Sequence, residues 1–112
     1  RGLRRGTAYR TVRRARFTAH ARTELLAEAA YYEALRAGLG AQFRREVEAV
    51  AGRAAAFPRS GKPGIAGTRR RLLDKFPFSL VYTEADYGIL IHAVAHNRRL
   101  PEYWVGRIAD EG

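Results

Sequence analysis

The stretch from Thr68 to Trp104, TRRRLLDKFPFSLVYTEADYGILIHAVAHNRRLPEYW, concentrates the residues able to do chemistry. Arg69, Arg70 and Arg71 open it, with Lys75 close behind, and His96, Asn97, Arg98, Arg99, Tyr103 and Trp104 close it. An imidazole with an unperturbed pKa of roughly 6.5 can take or give a proton near neutral pH. Guanidinium groups present a planar fork of donors suited to bidentate contact with phosphate. Tyr103 and Trp104 can stack on a base, which contributes roughly 1–3 kcal/mol per base, or can pin the chain end onto the fold. Taken together, these types form a surface directed at a polyanion.

Plainer readings stand beside each of these. A histidine at a strand end beside two arginines is also an ordinary polar edge residue, and His96 fits both descriptions. His92 lies further inside a strongly apolar strand and reads as a half-buried packing residue. Two histidines on one strand face with no acid nearby make a poor metal site, so neither metal nor cofactor is expected. Arg69 and Arg71 alternate with Arg70, which leaves one face of that run solvated or paired with helix glutamates. Tyr31 and Tyr32 read as helix–sheet packing.

The composition agrees with a polyanion or acidic partner. The 112 residues carry 21 Lys and Arg against 11 acids, a formal charge of +10, and all the cations except Lys62 and Lys75 are arginine. A single domain this basic meets nucleic acid, an acidic protein or an anionic membrane. No apolar run approaches the roughly 18 residues of a membrane span. The chain has no cysteine, which excludes disulfides and thiolate metal sites and suits a reducing cytoplasm.

The elements that must position those residues follow from periodicity and breakers. Residues 1–11 hold four arginines and two glycines and read as a basic mobile arm, either a phosphate-binding tail or an upstream extension, so that the domain proper spans 12–112. A short strand over 12–18 turns Ala15 and Phe17 to one side. Thr18 suits the N-cap of a helix from His20 to about Arg36, with Ala21, Leu25, Ala29 and Tyr32 at helical spacing, stopped by Gly38 and Gly40. A second helix over 39–56 carries the clearest apolar stripe: Leu39, Phe43, Val47, Val50, Ala54 and Phe57. So tight a connection makes an antiparallel hairpin, whose stripes need the downstream sheet as partner. Breakers fill 58–67. Strands follow over 68–75, 78–83 and 89–96, the last apolar on both faces and therefore inside the sheet, and a closing helix over 102–108. The fold class is α+β, order β-α-α-β-β-β-α, a helical hairpin on a small, mainly antiparallel curved sheet.

The segments AEAAYYEALRAGLGAQFRREVE, GTRRRLLDKFPFSLVY and ILIHAVAHNRRLPEYW resemble the RelE/ParE superfamily of toxins from type II toxin–antitoxin modules, often described as plasmid stabilisation proteins. The resemblance covers about 12–108 and implies the fold just described. It also implies a cognate antitoxin as partner, with an acidic segment drawn to the +10 surface and lying near the arginine strand run. RelE-like members cut mRNA in the ribosomal A site, and ParE-like members poison DNA gyrase without cutting RNA. On the first pattern His96, Arg70, Arg99 and Tyr103 are the expected catalytic residues of a metal-independent endoribonuclease, with Arg69, Arg71, Arg98 and Lys75 binding RNA phosphates. Ser79, Asn97 and Leu72 depart from that pattern, since RelE-like nucleases carry cations at those places. Ribosome-bound mRNA cleavage is the leading expectation, with gyrase poisoning, or antitoxin binding alone, as the alternatives.

Overall fold

The computed structural model of the chain describes residues 13–99 and 102–111, so the basic arm read over 1–11 lies outside the described residues. Strand β1 (Arg14–Phe17) leads into helix α1 (Ala19–Leu35), and α2 (Leu39–Ala56) returns beside it. Then come β2 (Lys62–Pro63), β3 (Arg69–Leu72), β4 (Phe78–Ala85) and β5 (Gly88–His96), and α3 (Val105–Glu111) closes the chain. The sheet order is β1-β5-β4-β3-β2, with β1 parallel to β5 and every other pair antiparallel. The α+β class and the helical hairpin are as expected. The two-residue edge strand β2 is additional: it sits between glycines, too short to leave a period, and its Pro63 is tolerated because it is at the edge.

Local chemistry explains the helix ends. The Thr18 hydroxyl accepts the Ala21 amide at 3.1 Å and caps α1. Gly38 takes a φ of +88° and has no capping side chain, so the Glu33 carboxylate supplies the cap of α2 by accepting the Gly38 and Gly40 amides at about 3.0 Å. Gly40 does not stop a helix. It lies inside α2, and a Cβ there would collide with the Ala29 carbonyl oxygen, so glycine is what lets the two helices approach.

The core lies between the hairpin and one sheet face. Phe43, Val47, Val50 and Ala54 are buried against Phe78, Leu80, Tyr82, Ile89 and Ile91, while Ala15 and Phe17 pack at its margin. Tyr32 sits against Phe76 (4.9 Å between ring centres) and Phe43 (5.3 Å), whereas Tyr31 is exposed. Phe57 departs from the predicted stripe: it follows the last turn of α2 and is 69% exposed. A smaller cluster of Val81, Ala93, Ala95 and Trp104 occupies the face away from the hairpin, where Tyr103 and Ile108 of the α3 segment pack against it.

Candidate functional site

The face of the sheet opposite the helical hairpin holds a concave site, and the strand pairing dictates its floor. Lys62 opposes Arg70, Arg70 opposes Val81, and Val81 opposes Ala93, so these four form one row across β2, β3, β4 and β5. Leu72, Ser79 and Ala95 form the next row. A cavity of about 230 Å³ opens here between two walls. One wall is the turn after β2, bearing Ile65 and Thr68; the other is the C-terminal segment bearing Arg99, Glu102, Tyr103 and Trp104.

The first wall hangs on three side chains. The Tyr82 hydroxyl donates to the Pro58 carbonyl at 2.7 Å and accepts the Gly61 amide at 3.1 Å. Arg69 donates to the Arg59 and Gly61 carbonyls at 3.0 and 2.9 Å, and Arg71 to the Ser60 hydroxyl at 2.6 Å. These arginines therefore serve backbone and hydroxyl acceptors of the loop after α2, where helix glutamates or solvent were the expected partners.

The second wall is anchored by Glu24, which sequence reasoning did not single out. Strand β1 ends at Phe17, so β5 beyond Ile91 loses its neighbour on that side. Glu24 and Arg107 fill the gap. The Glu24 carboxylate accepts the Val94 amide at 2.9 Å, Arg107 donates to the His92 carbonyl at 3.0 Å, and the two side chains pair at 2.9 Å. An ion pair thus stands in for the missing strand and satisfies one donor and one acceptor of the open edge. The same carboxylate accepts the Tyr103 hydroxyl at 2.7 Å and lies 3.8 Å from Arg99. The Arg99 guanidinium sits over the Tyr103 ring at 3.7 Å, and that of Arg107 lies 5.1 Å from its centre. Burial first, and then the bond to the carboxylate, push the Tyr103 phenol well above its ordinary range. A glutamate at a spacing compatible with the buried face of α1 was the available clue, but its partners lie seventy or more residues away.

Of the eight residues expected to act, Arg69, Arg70, His96, Arg99 and Tyr103 border this cavity, and Arg71, Arg98 and Lys75 do not. Lys75 sits in the β3–β4 turn, where its amide and that of Asp74 donate to Glu46 of α2. His96 reaches only the rim. It opposes Phe78, a residue of the helix-side core, and its ring lies edge-on to that phenyl at 5.0 Å. Its Nδ1 accepts the Arg98 amide at 3.0 Å, which leaves Nε2 for any proton exchange. The two histidines do not share a face. A β-bulge at Val81/Tyr82 shifts the register, so that His92, buried, meets the Thr83 hydroxyl at 2.9 Å on the side opposite the hairpin. Among the described residues no group of His, Cys, Asp and Glu could hold a metal ion.

At the departures from the nuclease pattern, the buried Ser79 hydroxyl bonds the Asn97 side-chain oxygen at 2.6 Å, while Leu72 is 57% exposed. The site accordingly offers Arg70, Arg99 and Lys62 as cations around an apolar floor, a phenol already committed to a carboxylate, and a histidine turned towards the core.

Comparisons with known proteins agree with this architecture. No curated protein is similar enough in sequence to match. Among solved structures, the chain is similar to one from the chromosomal ParDE toxin–antitoxin system of P. aeruginosa, with a TM-score of 0.55 at 16% identity over 76% of this chain and 96% of that one. At that identity the likeness bears on the fold. The model of the ParE toxin of the type II toxin–antitoxin system parDE matches residues 15–101, which take in the hairpin, all five strands but the first residue of β1, and most of the second wall's approach. With that match over most of its length, the chain belongs to the ParE toxin family of type II toxin–antitoxin systems.

Proposed function

We propose that this toxin acts by binding and poisoning DNA gyrase, not by cutting ribosome-bound mRNA. The observation that carries the reading is the commitment of the Tyr103 hydroxyl to Glu24. Metal-free RNA cleavage needs a base for the 2′-hydroxyl and an acid for the leaving oxygen, each with a pKa near the working pH. A phenol shifted upward and already donating to a carboxylate is a poor proton source. His96 faces Phe78, and among the described residues no carboxylate pairs with it. Ser79 occupies the place where the nuclease pattern has an arginine, and its hydroxyl is spent on Asn97. Membership of the ParE family supports the same target. In either case the toxin would work in the cytoplasm, where both targets are found.

The mRNA-cleaving reading is favoured by one feature, the sharing of a single cavity by Arg70, His96 and Arg99. A paired assay separates the two. Purified toxin is expected to inhibit gyrase supercoiling and trap DNA breaks, while mRNA on programmed ribosomes stays intact. Codon-specific cuts that disappear in His96→Ala would overturn the gyrase reading.

A further inference from the structure

Among the described residues no large apolar side chain stands more exposed than Phe57, at 69%. With Ala56 and Pro58 it forms the apolar lip of another depression, of about 430 Å³, at the C-terminal end of α2. This depression shares no lining residue with the cavity bordered by Arg70 and Arg99. A single exposed phenyl ring is ordinary on a protein surface, but an apolar lip set among cations marks a contact.

The cations here are held in place. Glu84 lies between two of them, 3.4 Å from Arg59 and 4.0 Å from Arg13. Arg53 belongs to the last turn of α2, and Arg71 reaches the Ser60 hydroxyl at 2.6 Å. Four arginines thus sit within a helical turn or a hydrogen bond of the lip, and Glu84 is the one acid among the described residues that line it. The carbonyls that end α2 do not repel an anion unmasked. That of Ala55 accepts from Arg13 at 3.3 Å, and that of Phe57 accepts from the Ser60 hydroxyl at 2.7 Å.

This arrangement discriminates between classes of partner. A single strand needs successive aromatic faces for its bases, and the described lining offers one ring. A duplex instead presents two rows of phosphates with a stack of apolar base faces between them. Cations beside one apolar wedge match that order, the wedge entering the minor groove and leaning on a base step. An acidic protein surface has no such fixed order and becomes the alternative outcome of the test.

We propose that the end of α2 is a contact for duplex DNA, with Phe57, backed by Pro58, as the minor-groove wedge and Arg13, Arg53 and Arg59 as its phosphate clamps. The contact extends the gyrase reading, since a poison that traps broken DNA works where enzyme and DNA meet. It rests on that reading for its purpose and on local chemistry alone for its existence.

The test titrates the full chain against a short labelled DNA duplex by fluorescence anisotropy over a range of salt, without gyrase. Phe57→Ala is expected to weaken binding about tenfold with the salt slope unchanged, and Phe57→Leu, which keeps a wedge, to stay within about threefold of the parent. Arg53→Ala with Arg59→Ala should lower the slope of log affinity against log salt by about 2. The same loss of charge in Lys62→Ala with Arg70→Ala should leave affinity within about threefold. All these positions are exposed, so thermal melts of the variants should match the parent protein. Equal weakening by the two double variants would overturn the proposal, because overall charge would then explain binding. So would unchanged affinity in Phe57→Ala, or binding of the single strand as tight as that of the duplex. Loss of binding to DNA-free gyrase in Phe57→Ala, with DNA affinity intact, would also overturn it and reassign the ring to a protein contact. Duplex binding as expected in a toxin that fails to inhibit gyrase would sink the preceding reading and leave this one standing.

Discussion

The phenol oxygen of Tyr103 and a carboxylate oxygen of Glu24 meet at 2.7 Å, although 79 residues separate them in the chain. The carboxylate accepts at once from Tyr103, Arg107 and the Val94 amide. One side chain on α1 therefore ties the end of the chain to the open edge of β5, and through Arg99 and Tyr103 it shapes the cavity wall.

Removing that carboxylate should loosen the C-terminal segment. Breaking a largely buried ion pair costs about 3–5 kcal/mol, and partial exposure here lowers the expectation for Glu24→Ala to roughly 3 kcal/mol. Glu24→Gln retains an acceptor for the Val94 amide and should cost less. Urea unfolding measures both, and a change within about 0.5 kcal/mol for Glu24→Ala would contradict the anchoring role.

Alkaline titration should reveal the same bond. Burial and the Glu24 carboxylate raise the Tyr103 phenol in the folded state above the unfolded value near 10. A raised pKa means that the folded protein holds its proton more tightly, so the stabilisation is complete below about pH 10 and is lost as pH climbs towards the folded value. Stability measured upward from pH 10 should fall, and the fall should be shallower in Tyr103→Phe. Parallel slopes in the two proteins would show that the phenol is not held as described.

The two glycines of α2 should respond in opposite senses. A Cβ on Gly40 would strike the Ala29 carbonyl oxygen, so Gly40→Ala should destabilise by about 1–3 kcal/mol despite alanine's better helix propensity. Gly52 has nothing within 4 Å of such a Cβ, and Gly52→Ala should stabilise by up to about 1 kcal/mol. Thermal melts of the pair decide it, and equal shifts would refute the close helix crossing.

Trp104 is the sole tryptophan, and it is packed on Val81, Ala93 and Ala95. Its emission therefore reports whether the chain end is docked. Glu24→Ala should shift that emission to longer wavelength before the global transition, and Trp104→Ala should cost about 3 kcal/mol. Emission unchanged in Glu24→Ala would place the anchor elsewhere.

Elements with a strong period were legible from the chain itself. Helix α2 spans the 39–56 its stripe predicted, and Thr18 caps α1 because a hydroxyl before a helical pattern meets a local amide. Phe57 was misread, since a residue just past the last turn continues the spacing without continuing the helix. Strand β2 was missed because two residues carry no alternation. The histidines were placed on one face because a strict period of two was assumed, and the bulge at Val81/Tyr82 breaks that period.

The order of amino acids alone carried the resemblance to the RelE/ParE superfamily in its motifs, and it determined the α+β layering and the basic character because these depend on local periodicity, breakers and summed charge. Which arginines are free and which are spent was decided only in three dimensions. Arg69 and Arg71 are consumed by loop acceptors while Arg70 between them stays open, and the difference is set by which sheet face the loop after α2 covers. The fate of Tyr103 was likewise beyond one-dimensional reading, for its chemistry is governed by a carboxylate that only the packing of α1 against the edge of β5 brings within reach.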